Sequence, residues 1–213
     1  MTPQSASTFT RELCLTAPVI PVLVIDEVSS AAGLAQALVA GGLPVLEITL
    51  RTPAALAAIK EMAAIEGGIV GAGTVLTPED ASAAKAAGAK FAVSPGATDT
   101  LLTACEKIDL PILPGAATAT EAMALLERGY RTQKFFPAAA AGGPPALRAI
   151  GAPIPQVSFC PTGGVTPENA RDYLKLSNVL CVGGSWVAPK DLVATQDWSG
   201  VETLARSASK LPT

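Results

Sequence analysis

The sequence predicts an α/β fold, a compact (β/α)8 barrel forming one domain over residues 1–213. Three observations predict it. Eight short β-rich runs carry Gly or Pro or are closely followed by one, their starts fall about 20–27 residues apart, and Ala/Leu-rich stretches of helical period lie between most of them. A chain of roughly 200 residues with no linker accommodates one β/α unit repeated eight times. An open doubly wound sheet has the same rhythm, but no GxGxxG follows the first run.

The first run, PVIPVLVI (18–25), is expected to follow a short N-terminal helical segment. That segment lacks a basic stretch followed by a long apolar one, so no secretory signal is expected. The later runs are VLEITL (45–50), IVGAGTV (69–75), KFAVSPG (90–96), PILPG (111–115), QKFFP (133–137), QVSFCPTGG (156–164) and VLCVGGSW (179–186). Between them lie SSAAGLAQALVAGG, TPAALAAIKEMAAIE, TPEDASAAKAAG and TATEAMALLERG. Several of these open with Ser or Thr beside Pro and shortly before Glu or Asp, and several close on Gly, which are helix start and stop signals.

Composition narrows the function. Apolar residues make up 49% and charged ones 15%, which excludes a disordered chain. The strongest apolar run, Ala17 to Ile25, holds two prolines and is far shorter than the ~20 residues of a spanning helix. A net charge of −3 with no basic cluster argues against nucleic acid as the main partner. No membrane partner is expected either. The chain has no histidine, so Ser-His-Asp and Cys-His nucleophile systems and every His-dependent metal site are excluded. Its four cysteines (Cys14, Cys105, Cys160, Cys181) show no CxxC pair and no zinc spacing. Cys160 and Cys181 sit in apolar runs and read as small core residues, consistent with a reduced, cytoplasmic setting. Acid–base work then falls to Lys, Glu, Asp, Tyr or water.

In such barrels the functional groups gather at the carboxyl ends of the strands. Seven of the eight lysines lie in helical stretches, at strand starts or in the tail. Lys134 stands inside QKFFP. By strand alternation it shares a face with Phe136 while Phe135 points the other way. If Phe135 packs on the helices, Lys134 is aimed inward, where desolvation disfavours the ammonium and a neutral amine can attack a carbonyl. The alternative is a salt-bridged or snorkelling strand lysine.

Glu47 is the matching exception among the acids. In VLEITLR, Leu46, Ile48 and Leu50 share one face, while Val45, Glu47, Thr49 and Arg51 share the other. An inward Glu47 can act as general acid or base. Arg51 offers a fork for a carboxylate or phosphate. A plain Glu47–Arg51 ion pair is the alternative, although four residues along a strand span roughly 13 Å.

The ends of the seventh and eighth runs carry PTGGVTPEN (161–169) and CVGGSWVAP (181–189). Loops after these strands often hold phosphate, and missing Cβ atoms let backbone N–H groups approach an anion. Ser185 or Thr162 can add a hydroxyl. Turn chemistry alone explains single glycines better than paired ones.

Taken together, PVIPVLVI, ALVAGGLPVLEITLRTPAAL, IVGAGTVL, FAVSPG, LPG, KFFPA, FCPTGGVTP and LCVGGSW resemble, in order and over nearly the whole chain, the class I 2-keto-3-deoxy-6-phosphogluconate (KDPG) aldolases of the Entner–Doudoroff pathway. That group is also credited with cleaving 4-hydroxy-2-oxoglutarate (KHG). The resemblance implies an aldehyde-lyase with Lys134 as Schiff-base lysine and Glu47 as acid–base residue. It implies further that Arg51 and Thr74 contact the pyruvyl carboxylate and that Pro95 and Phe136, with Thr162, line the pocket. Gly163, Gly164, Gly184 and Ser185 would hold the phosphate. It also implies a homotrimer that needs no metal or other cofactor. One departure is visible: where the family commonly continues KFFPA with glutamate, this chain has Ala139. Three other readings stay open at this point: an aldolase for the galactonate epimer, a phosphosugar epimerase or decarboxylase, and a non-catalytic binder of phosphorylated ligands.

Overall fold

Helices and strands alternate over most of residues 1–212, which the computed structural model describes. The order is α1 (Pro3–Thr16), β1 (Val19–Leu23), α2 (Ala31–Ala40), β2 (Val45–Thr49), α3 (Ala55–Met62), β3 (Ile69–Gly73), α4 (Pro78–Ala86), β4 (Phe91–Val93), α5 (Asp99–Lys107), β5 (Ile112–Leu113) and β6 (Gly115–Ala116). It continues with α6 (Ala119–Arg128), β7 (Thr132–Phe135), α7 (Gly143–Gly151), β8 (Ser158–Pro161), α8 (Ala170–Leu174), β9 (Val182–Gly184), α9 (Lys190–Ala194) and α10 (Trp198–Ala208). Among the described residues, no helix is long and apolar enough to cross a membrane.

The helix-start signals work where side-chain geometry allows them. Thr77 and Thr118 accept from the N–H groups of Asp80 and Glu121 at 3.1 and 3.2 Å, and each acid reaches back to its threonine's N–H. In TPAALAAIKE the threonine does something else: the Thr52 hydroxyl donates to the Ile25 carbonyl, and α3 begins later, at Ala55, with no side-chain cap. A partner in another part of the fold has displaced the local one.

All strands pair in parallel, in a curled α/β arrangement that departs from eight unbroken strands. A six-stranded sheet runs β5-β4-β3-β2-β1-β9, and a three-stranded one runs β6-β7-β8. The fifth predicted run is split at Pro114, which has no N–H for the ladder. Leu113 pairs with Val93 on one side of the break, and Gly115 pairs with Lys134 on the other. Between β8 and β9 only two isolated bridges form, Phe159 to Val179 and Thr162 to Gly183.

Strand alternation sorts the side chains into two cores. Leu46, Ile48, Val70, Ala72, Ala92, Ile112, Phe135 and Phe159 pack with the helices. The opposite, inner face carries Ile20, Val45, Phe91, Val93, Leu113, Cys160 and Cys181, joined by Leu13 and Cys14 of α1. Helix α1 lies across the amino ends of strands. Its Ser7 hydroxyl accepts from the N–H groups of Arg131 and Thr132 at 2.8 and 2.9 Å, and Arg11 donates to Ser158, the first residue of β8. The amino end of the inner face is therefore closed, which leaves the carboxyl ends for chemistry.

Candidate active site

Lys134 is directed inward because its neighbours are held outward. The Gln133 amide donates to the carbonyls of Ala122 and Tyr130 at 3.0 and 2.9 Å, and Phe135 meets Phe159 edge to face at 6.2 Å between centroids. The Lys134 N–H donates to the Pro114 carbonyl at 2.8 Å, setting the residue's height beside Gly115 and Cys160. On β2, Leu46 and Ile48 fill the helix-facing core and turn Glu47 to the inner face. The two meet: Lys134 Nζ lies 3.3 Å from Glu47 Oε1, with the residues 5% and 3% exposed.

Burial pushes the Glu47 carboxyl above the usual carboxylate range, and the nearby Lys134 ammonium pulls in the opposite direction. A carboxyl raised in this way is a better proton donor than a free one, and its carboxylate a better acceptor. The alternative ion pair between Glu47 and Arg51 does not form; Arg51 is exposed at the end of β2 and Glu47 pairs with Lys134 instead. Gly73 stands opposite Glu47's strand, and a Cβ there would overlap Glu47 Oε1. This glycine is required by close approach.

The other predicted residues surround the pair unevenly. Lys134 Nζ lies 5.2 Å from the centroid of the half-buried Phe136 ring, a cation–π contact. Thr74, next after Gly73, has φ of 58°, a left-handed conformation that a β-branched residue adopts only under strain. Pro95 is half-buried just beyond β4, and its carbonyl sits where a Cβ on Gly115 would be. Thr162 is buried, with its hydroxyl 3.4 Å from the Cys160 carbonyl and packed against Gly183. Arg51 and Ser185 are exposed, and neither side chain makes a hydrogen bond or ion pair among the described residues.

The paired glycines divide in purpose. Gly163 and Gly164 have φ of 97° and 73°, so the turn after β8 needs them for its backbone course. Gly184 is different: a Cβ there would run into the Trp186 ring, so its bareness serves packing of that indole. The turn after β8 also leans on Ala139, whose N–H donates to the Gly163 carbonyl at 3.0 Å, and a Cβ on Gly164 would lie 2.5 Å from the Ala139 Cβ.

Reasoning on the sequence missed one cluster. Cys14, Cys160 and Cys181 converge with their sulfurs within 4.8 Å of one another on the inner face, Cys160 in register with Lys134. Three cysteines on separate elements leave no spacing motif to detect.

A family model for KDPG and KHG aldolases matches residues 10–204. The chain belongs to the KDPG and KHG aldolase family. It is 50% identical over 192 residues to a 2-dehydro-3-deoxy-phosphogluconate aldolase of Pseudoalteromonas atlantica, covering 90% of this chain and 89% of that one. A KHG/KDPG aldolase of Escherichia coli is 48% identical over 202 residues, covering 94% and 95%. The crystal structure of KDPG aldolase from Legionella pneumophila, with pyruvate captured as a covalent carbinolamine intermediate, superposes with a TM-score of 0.91 at 48% identity, covering 94% of this chain and 98% of that one. Membership makes the protein a lyase of the aldolase type.

Proposed function

We propose that the Lys134–Glu47 pair is the centre of a Schiff-base aldolase that cleaves KDPG to pyruvate and D-glyceraldehyde 3-phosphate, and KHG to pyruvate and glyoxylate. The observation that carries this is the buried 3.3 Å contact between the two. Glu47 takes a proton from Lys134, freeing the amine to attack the C2 ketone. The resulting carbinolamine loses its hydroxyl as water with a proton from Glu47, which leaves an iminium and a carboxylate. That carboxylate removes the C4 hydroxyl proton, directly or through one water. The C3–C4 bond breaks, its electron pair neutralises the iminium, and the aldehyde departs. Glu47 returns its proton to C3 of the enamine, and water hydrolyses the imine to pyruvate.

Arg51 and Thr74 are assigned to the pyruvyl carboxylate, with Pro95, Phe136 and Thr162 lining the pocket, which aligns the bond to be broken. Gly163, Gly164 and Ser185 are assigned to the phosphate together with the backbone N–H of Gly184, whose missing Cβ makes room for Trp186. The chemistry requires no metal or other cofactor, because the iminium is the electron sink. The gluconate rather than the galactonate acid is taken as substrate from the names of the near relatives.

The two sheets are read as one (β/α)8 barrel and residues 1–213 as one domain. Strands succeed one another in chain order, β9 returns to β1, the chain itself crosses from β5 to β6 at Pro114, and the bridges at Val179 and Gly183 link β8 to β9. A cytoplasmic homotrimer completes the reading. Incubation with pyruvate and borohydride followed by peptide mapping tests it: a reduced adduct on Lys134 is expected, and an adduct on Lys90 or none overturns it.

A further inference from the structure

We propose that the thiols of Cys14, Cys160 and Cys181 form a binding site for a trivalent soft thiophile of the arsenite class, tying α1 to β8 and to the residue before β9. The three sulfurs lie within 4.8 Å of one another and come from three separate segments, α1, β8 and the residue before β9. All three residues are buried and none is in a disulfide.

The surroundings decide the ligand. The thiols sit among Leu13, Ile20, Val45, Phe91, Val93 and Leu113. The chain has no histidine, and among the described residues no carboxylate joins the three sulfurs as a further ligand. The nearest oxygen partner of the cluster is the Thr162 hydroxyl, 3.9 Å from Cys160 Sγ. Zinc in closed sites takes four ligands, and this site offers three. Charge argues the same way. Three thiolates around a divalent ion leave one net negative charge and around a monovalent ion two, a costly burial where Lys134, the ammonium beside Cys160, is already paired with Glu47.

A trivalent centre leaves none. Arsenous acid, As(OH)3, and three thiols give As(SR)3 and three waters: three As–O bonds break, three As–S bonds form, and each thiol proton leaves with a hydroxide. No electron is transferred, and every species in that balance is uncharged. Access is through local opening of α1, a terminal helix held to the strands by Ser7 and Arg11.

Arsenite titrated into the reduced, intact enzyme tests the site by native mass spectrometry and arsenic X-ray absorption. The expected result is one arsenic per chain, a mass gain of one arsenic atom less three protons, and a first shell of three sulfurs with no oxygen. Cys14→Ala and, separately, Cys181→Ala are expected to weaken retention at least tenfold, while Cys105→Ala leaves it unchanged, because Cys105 lies in the other core. The melting temperature of the unsubstituted protein should rise with arsenite until the site saturates. No retained arsenic, oxygen in its first shell, or equal retention in Cys14→Ala and Cys105→Ala overturns the proposal.

Discussion

Lys134 and Glu47 touch across the two sheets. Glu47 stands on β2 of the six-stranded sheet and Lys134 on β7 of the three-stranded one, so no shared ladder holds them together. Each strand delivers its residue by packing the flanking side chains outward. The pair is therefore positioned by core packing on both sides.

Lys134→Met is expected to abolish imine formation and turnover. It also leaves Glu47 buried without its counter-charge, a change that costs about 3–5 kcal/mol when the remaining group must stay ionised. The Glu47 carboxyl is already held above the usual range by burial, so in the variant it escapes this cost by keeping its proton. A group whose folded value is raised stabilises the fold below its unfolded value, and that contribution is lost as pH rises through the folded value. Urea unfolding of the variant and the parent should therefore give a gap that widens from pH 5 to pH 8. A pH-independent gap would place the negative charge elsewhere.

Glu47→Gln is expected to fold and to form the pyruvate imine, while cleavage slows by roughly 10²-fold or more. In the parent enzyme, activity should rise with pH through the elevated Glu47 value, because the carboxylate is the form that accepts the C4 hydroxyl proton. That acid limb should vanish from kcat/KM in the variant. Near-normal turnover by Glu47→Gln would reassign the base.

Gly73→Ala tests the close approach. The added methyl overlaps Glu47 Oε1, whereas a Cβ on Gly96, at the neighbouring strand end, meets nothing within 4 Å. Displacing the carboxylate by about 1 Å can cost 10²-fold in rate. Steady-state kinetics should show that loss in Gly73→Ala and little change in Gly96→Ala; equal effects would refute the positional argument.

Thr74→Gly should relieve the left-handed strain at φ 58°. Strain of about 1–3 kcal/mol is offset by roughly 0.5–1 kcal/mol of added chain entropy, so a net gain near 1 kcal/mol is expected in urea. The same variant should raise KM for pyruvyl substrates through loss of the hydroxyl. Loss of stability would show that the threonine is unstrained.

The phosphate assignment is best tested at Ser185, since Gly184→Val would strike the Trp186 ring and harm both substrates alike. Ser185→Ala removes an exposed hydroxyl and should cost about 1–3 kcal/mol in kcat/KM on KDPG, with KHG unaffected. Equal losses on the two substrates would move the phosphate elsewhere.

Local rules made part of this molecule legible in the sequence. Alternation in VLEITL and QKFFP sorts the side chains into two faces, because a side chain's face in a strand depends on parity alone; in QKFFP, which face meets the helices had to come from the packing of Phe135. The capping residues Thr77 and Thr118 start their helices through bonds made within four residues. The same parity, with the lack of histidine, singled out Lys134 and Glu47.

What tertiary structure decided are the relations between segments far apart in the chain. Lys134 and Glu47 are 87 residues apart, and their contact depends on how two sheets are set against each other. Pro114, which cannot donate to a ladder, divides a strand whose two halves pair in different sheets, and Thr52 abandons its helix for a carbonyl on another loop. Whether Gly184 serves an anion or the Trp186 ring, and whether three scattered cysteines meet, are likewise matters of packing. Backbone propensity acts over a few residues. Close packing acts between whatever surfaces the fold brings together, and only the folded chain specifies those.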